Sequence, residues 1–408
     1  MSEAAQRVTE KIELLIPRRQ IRSPRAPLAD AQERLWALYQ LEPLSAALNI
    51  CIAVRLEGKL DLAALKRAIA TVVRRQEVLR TTFDVTADGR PFQSVHPPPS
   101  YWPLPLTDLR SDPLRDTEVR RLVVAEAARP FNLETGPTFR TALICLGSDE
   151  HVLLLSMHHI IADDWSIGIL LREITVLYAS FTTGTRAPLT NLPVQYADFA
   201  VWERQQKQID YCRRPLGDVV GRERELFSLS EELSGQLREL GQGSTLFMTL
   251  LAAFQLSLHQ YSGQQDILIG TNIANRNHGS TENLIGLFAR DIVLHTNFSG
   301  NPTFRELLAR AHDVTLDAPP FQVMLVFQND PLPAEIDGLK LSLLDLKSET
   351  SNCDLVLYLT EKERRLSGQL HYNADLFAAN TIRHLLDRFQ NLLHAIVADP
   401  DARIDSLC

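Results

Sequence analysis

From Ile167 onward the apolar residues fall at Ile167, Leu170, Leu171, Ile174, Leu177, Tyr178 and Phe181, at offsets 0, 3, 4, 7, 10, 11 and 14. That spacing is one face of an α-helix. Asp163, Asp164 or Ser166 can cap its start, because a short polar side chain satisfies an amide the first turn leaves unpaired. Thr183-Gly184 ends it. Just upstream, Val152-Leu153-Leu154-Leu155 is an unbroken apolar run in a short segment, so His151 to Met157 reads as a fully buried strand. Leu60 to Arg75 keeps the helical period, and a helix capped by Ser244 runs to about Tyr261, ended by Ser262-Gly263. Pro302 to Val314, with Asn301 as its cap, and Ala379 to Ala398 are further helices. Asp266 to Ile273, Phe321 to Gln328 and Cys353 to Glu361 read as strands. The first twenty or so residues read as a short amphipathic helix, followed by a basic linker from Pro17 to Pro27. Helices and strands mix without strict βαβ alternation, and no solenoid period appears. The pattern predicts an α+β fold of two lobes meeting near residues 190–220.

Composition narrows the function. The 408 residues carry a net charge of −8, which argues against a nucleic-acid binder while leaving room for a local basic patch. No stretch approaches the ~18 apolar residues of a membrane span. The N-terminus has no apolar segment of secretory type, so a cytoplasmic chain is expected. Cys51, Cys145, Cys212, Cys353 and Cys408 are scattered, which fits reduced thiols and gives no zinc signature.

Several chemistries lack their motifs. There is no GxxxxGK[ST], no GxSxG and no HExxH; Gly241-Gln242-Gly243-Ser244-Thr245 lacks the lysine and reads as a capping turn. The conspicuous cluster is His158-His159-Ile160-Ile161-Ala162-Asp163-Asp164-Trp165, where the buried strand gives way to the long helix. Histidines and carboxylates there are costly to bury unless paired or used. A histidine can act as general base near neutral pH. An aspartate four residues on can fix its surroundings or pair with an arginine. The helix start adds amides that favour developing negative charge. Plainer roles stay open: a structural or exposed histidine pair, and aspartates that only cap. Adjacent histidines on an extended chain point to opposite sides, so no metal site is expected.

MHHIIADDWS resembles the HHxxxDG core of nonribosomal peptide synthetase condensation domains, members of the chloramphenicol-acetyltransferase-like superfamily. Its neighbours match in order. Residues 31–36, AQERLW, resemble AQxRLW; residues 75–83, RQEVLRTTF, resemble RHExLRTxF; residues 130–133, PFNL, resemble PFDL. Residues 196–202, YADFAVW, resemble YxDYAxW, and residues 246–254 and 285–288 match the second lobe. The resemblance runs from about Leu28 to Ala398. It implies two acetyltransferase-like lobes in a V with a central tunnel, over residues 28–190 and 191–408; residues 1–27 before them read either as a segment that docks a carrier or as a plain flexible leader. It also implies an acyltransferase joining a carrier-bound acyl thioester to an amine or hydroxyl acceptor, in nonribosomal peptide or hybrid polyketide synthesis. Both substrates would arrive on phosphopantetheine arms of donor and acceptor carrier proteins, with no cofactor of the chain's own. No nucleic-acid or membrane partner is implied, and a monomer is expected.

By the same resemblance His159 is the base or positioner of the nucleophile, His158 is structural, and Asp163 is salt-bridged to an arginine. Arg75 and Arg80 are the candidate partners, and Trp202 is a structural tryptophan. A thioester is already activated, so the absence of a nucleophile motif fits a reaction that works mainly by bringing two substrates together.

The chain also departs from the pattern. Asp164, beside Trp165, stands where the family has glycine, and Ala289-Arg290-Asp291 replaces VNT. The family's stretch between lobes is shortened around Arg213 to Gly221, and only Leu316-Asp317-Ala318-Pro319-Pro320 stands where an HQDxPFE loop belongs. Either these segments are truly deleted or loop residues are left out of the sequence; the intact flanking motifs and the abrupt joins favour the second. With Met1 at its start and no adenylation or carrier sequence, a free-standing enzyme or an excised domain is expected. Asp164 motivates one alternative, a non-catalytic module recruiting carriers or tailoring enzymes; the intact His159 opposes it. An epimerising relative is the other alternative.

Overall fold

The computed structural model describes all residues except 1–15, 20–22, 206–221, 242–244, 277, 311–313, 316–320, 330–334, 345–352, 363 and 408. The expected N-terminal helix, the shortened stretch near 213–221 and the 316–320 join lie outside the described residues.

The apolar run at 152–155 is the centre of a strand, Glu150–His158, paired antiparallel with Asn49–Glu57 and with Phe139–Cys145. Its side chains alternate between two cores. Leu153, Leu155 and Met157 join the larger, while Val152 and Leu154 meet Val119 and Val123 of helix Arg115–Ala127. A strand covered on both faces needs apolar residues at every position, which is why the run is unbroken. The sheet is ordered Glu335–Ile336, Leu339–Leu343, Asn49–Glu57, Glu150–His158, Phe139–Cys145, Leu106–Asp108, and only its last pair is parallel. Helices Leu62–Arg75 and Asp164–Thr183 bury Leu65, Ile69, Val72, Leu170 and Ile174 in the larger core. Each such fully buried side chain contributes roughly 1.5–3 kcal/mol. Asp61 caps the first helix by accepting from the Ala63 and Ala64 amides, and Asp163 caps the second. Gly184 ends the second at φ 71°, a conformation that a Cβ disfavours.

The second unit has its own sheet, ordered Val314–Thr315, Arg290–Asn297, Asp266–Ile273, Val323–Asn329, Leu355–Lys362, Arg365–Asn373, Arg222–Ser228. Helices Glu231–Leu240, Leu246–Ser262 and Ala379–Ala398 bury Leu237, Leu250, Phe254, Phe389 and Leu393 with Leu325 and Leu357 of its strands. The helix expected over Pro302 to Val314 is shorter, Phe304–Arg310, and Val314 instead pairs with Leu294. Thr303 caps it in place of Asn301: its hydroxyl accepts from the Glu306 amide, and Glu306 Oε2 accepts from its N–H. Residue 244 lies outside the described residues, and Thr245 caps the helix that follows.

The compact units do not follow the expected boundary at 190/191. The first comprises residues 1–208, 274–289 and 331–346; the second comprises 209–273, 290–330 and 347–408. Packing explains the difference. Tyr196 and Phe199 of helix Tyr196–Gln205 sit in the first core, as do Leu284, Ile285, Leu287 and Phe288. Leu339–Leu343 forms sheet pairs with Asn49–Glu57. Part of the expected leader also belongs to this unit: Ile16 is buried, Arg19 pairs with Asp198 at 2.8 Å, and Arg25–Pro27 pairs with Pro91–Val95.

Candidate active site

His158 ends the central strand, and His159 opens a 3₁₀ turn, His159–Ile161, before the long helix. Because side chains alternate along extended backbone, the two imidazoles enter different surroundings. His158 is buried; its Nδ1 accepts from the Ile160 amide at 3.1 Å, and its ring stands edge-on to Phe131. Burial first, and the neighbouring His159 second, push its pKa down to about 3, so it stays neutral near pH 7.

His159 is half-buried, with Nδ1 2.7 Å from the Ala162 carbonyl oxygen. A carbonyl only accepts, so Nδ1 carries the proton and, in the neutral ring, Nε2 keeps its lone pair. No hydrogen bond engages Nε2 among the described residues. The His159 amide donates to the Leu48 carbonyl at 2.8 Å, which ties the turn to the start of the neighbouring strand.

Asp163 is almost wholly buried, at 1% exposure, and gathers donors from two distant parts of the chain. Its Oδ1 accepts from the Ser166 amide at 2.8 Å and from Arg276 Nη2 at 3.1 Å, and lies 2.6 Å from the Ser166 hydroxyl. Its Oδ2 accepts from the amides of Phe288 and Ala289, at 2.9 and 3.0 Å. The arginine partner is therefore Arg276. Arg75 instead binds Glu173 at 2.8 Å, and Arg80 pairs with Glu77 at 3.6 Å while donating to the His96 carbonyl. Arg75 ends helix Leu62–Arg75 and Arg80 lies in the turn after it, whereas Arg276 comes from the 274–289 segment of this unit. Nothing in the local pattern around Arg276 marks it, because the pairing depends on a contact 113 residues away.

Arg276 is held through its two terminal nitrogens, while its buried Nε has no hydrogen-bond partner among the described residues. Its Nη1 donates to the carbonyls of Thr281 and Leu284, and its guanidinium lies 4.2 Å from the Phe288 ring centroid. Burial lowers its pKa, and the Asp163 charge opposes that. The Ser166 hydroxyl accepts from the Gly286 amide at 3.0 Å, and the Tyr196 hydroxyl donates to the Leu287 carbonyl at 2.7 Å. Gly286 is required by contact: a Cβ there would stand 1.9 Å from the Tyr196 ring. The change at 289–291 leaves the bond to Asp163 intact, because that bond comes from the Ala289 backbone.

Asp164 is exposed in the first helical turn, and Trp165, 47% exposed, donates from Nε1 to the Glu282 carbonyl at 3.2 Å. Trp202 is half-buried, packed on Phe199 and edge-on to His278 at 4.7 Å. A groove of about 570 Å³ in this unit, lined by Lys66, Arg67, Arg74, Tyr101 and Phe181 among others, includes none of the motif residues. The chemistry gathers at the strand-to-helix junction: a half-buried imidazole with one lone pair available, beside a carboxylate fully engaged with backbone amides, the Ser166 hydroxyl and Arg276.

The condensation-domain family model matches residues 23–214, 209–320 and 313–408, which together span nearly the whole chain. The chain belongs to the condensation-domain family. The three matched stretches overlap at residues 209–214 and 313–320. The domain is 38% identical over 443 residues to a linear gramicidin synthase protein from Brevibacillus parabrevis, covering 95% of this chain and 6% of that protein. It is 37% identical over 433 residues to a chondramide synthase from Chondromyces crocatus, covering 93% of this chain and 11% of that protein. It spans 6–11% of the length of the first three curated relatives it matches. Among solved structures it is similar to the X-domain in complex with OxyB from teicoplanin biosynthesis. There the TM-score is 0.77 and the identity 25%, covering 96% of this chain and 97% of that one. The first condensation domain of the calcium-dependent antibiotic synthetase, in complex with substrate analogue 2a, shares the fold. Its TM-score is 0.77 at 20% identity, covering 95% and 99% of the two chains. The α+β, two-lobe, acetyltransferase-like architecture expected from sequence is thus the architecture of solved condensation domains. Condensation domains of nonribosomal peptide synthetases are acyltransferases that form amide bonds.

Proposed function

We propose that this domain joins a carrier-bound acyl thioester to an amine, or alternatively a hydroxyl, with His159 Nε2 receiving the proton. The observation that carries the reading is the bond between His159 Nδ1 and the Ala162 carbonyl, which leaves Nε2 as the basic nitrogen. The acceptor nitrogen attacks the thioester carbon. As the carbon–sulfur bond breaks, the nitrogen's proton passes to Nε2 and then to the departing thiolate. Both substrates are tethered on phosphopantetheine arms of donor and acceptor carriers, so most of the acceleration comes from proximity. His158 stays neutral and holds the turn. Asp163 acts as a structural anchor rather than a proton carrier, since five donors surround its oxygens. Trp202 supports the unit's aromatic packing.

A mass-spectrometric assay tests this. Acyl-loaded carrier is mixed with amine and hydroxyl acceptors, free and carrier-bound. Product is expected with wild type, and His159→Ala should reduce turnover by about 10²-fold or more. Equal turnover in the two proteins would remove His159 from the reaction. The likeness to the X-domain and the exposed Asp164 favour one second reading, a recruitment module. Carrier binding without product from any acceptor would select it.

A further inference from the structure

We infer that Gln32 is a positioning residue for His159, an assignment that rests on the condensation reading above. Gln32 has no exposed surface, yet it lies in the first turn of helix Asp30–Leu41, where a polar side chain ordinarily reaches water. Its amide faces three directions. Oε1 accepts from the Ala29 amide at 3.1 Å and from Gln93 Nε2 at 3.2 Å. Nε2 donates to the Ile160 carbonyl at 3.1 Å, 128 residues away in sequence. Gln93, itself 1% exposed, is fixed in turn by a bond from Nε2 to the Pro27 carbonyl at 2.8 Å.

This arrangement leaves Gln32 one orientation. The Ala29 backbone N–H only donates, so the amide oxygen must face it and the amide nitrogen must face Ile160. The Ile160 carbonyl belongs to the turn between His159 and Ala162, the two residues joined by the Nδ1 bond. Holding that carbonyl fixes the Ile160–Ile161 peptide plane, and with it the position of the Ala162 oxygen. Without the Gln32 donor, a buried carbonyl loses its partner. The turn can relieve this by rotating that peptide, which draws the Ala162 oxygen away from Nδ1. The ring is then free to take the other tautomer, whose Nε2 carries the proton and cannot accept one. Gln32 therefore controls which nitrogen of His159 is basic, without touching His159 or substrate.

The test uses the full chain with both loaded carriers and compares wild type, His159→Ala, Gln32→Met and Gln32→Glu. Methionine keeps length and packing; glutamate keeps the acceptor for Ala29 and Gln93. Besides turnover, ¹⁵N-histidine NMR reads the two ring nitrogens of His159, assigned among the 11 histidines by their loss in His159→Ala. Wild type should show one protonated and one bare nitrogen. In a folded Gln32 variant the two signals should move toward an average. Its kcat should fall by about tenfold or more while KM for each carrier stays within about twofold. Unchanged ring signals and kcat within about twofold of wild type, in whichever Gln32 variant melts as a folded protein, would overturn the inference. If wild type itself forms no product, the condensation reading fails separately, and the ring signals alone decide the role of Gln32.

Discussion

His158 and His159 are neighbours in sequence with opposite surroundings, and the difference is measurable as stability. Burial holds the His158 pKa down to about 3, against an ordinary 6.5. Between those values the unfolded chain binds a proton that the folded chain refuses. Stability from this residue is therefore complete above pH ~6.5. It declines by up to about 1.4 kcal/mol per pH unit as the pH falls toward 3. Urea unfolding at steps from pH 7 to 5 should show that slope in wild type and a flatter one in His158→Asn. Parallel slopes in the two proteins would mean that His158 is solvated. His159 shows how far residue identity alone reaches. The sequence motif marks it as the candidate base, but its tautomer depends on the Ala162 carbonyl, which belongs to the backbone and leaves no trace in the choice of side chains.

At the level of elements, the segment from Gly279 to Ala289 is fixed to the long helix and to Tyr196 by small, specific contacts. Ser166 and Asp163 hold its backbone, Arg172 bonds Asn283 at 2.6 Å, and Gln76 bonds both the Asn283 carbonyl and the Ile285 amide. Gly286→Ala should lower unfolding free energy by about 1–3 kcal/mol, because its methyl would overlap the Tyr196 ring. An unchanged thermal melt would mean that this contact is loose. The elements most legible in sequence are those whose periodicity is local. The Asp163-capped helix and the strand Asp266–Ile273 emerge where the spacing places them, and Ala379–Ala398 keeps its expected limits. The helix at Pro302 to Val314 is overestimated because Val314 is taken by a sheet edge, a competition between distant segments that residue spacing does not encode. Arg276 stays hidden in the sequence for the same reason: the charge that pairs with it, Asp163, lies far away along the chain.

For the whole molecule, the division into two units cuts the chain in several places, so sequence neighbours need not share a fate. Asp163→Asn tests this. It removes the charge opposite a buried arginine, and its amide nitrogen cannot accept, so it should cost about 3–5 kcal/mol in urea unfolding. Hydrogen exchange in that variant should accelerate across residues 164–183 and 274–289 together. The strand Asp266–Ile273, adjacent in sequence to the second of these, should keep its protection because it belongs to the other unit. Faster exchange confined to residues 163–166 would show that the two segments are energetically independent.

The same interrupted path sets an order on birth at the ribosome. The strand and helix around His159 emerge early, but Asp163 meets Arg276 only after more than a hundred further residues have been made, and the edge strand Leu339–Leu343 comes later still. Translation is slow, about 5–20 residues per second, so for roughly 6–23 s the nascent chain holds a carboxylate without its arginine, and for longer still a sheet edge without its cover. Over that interval the uncovered sheet edge is open to mispairing with other strands, and a pause in translation before residue 276 would prolong its exposure.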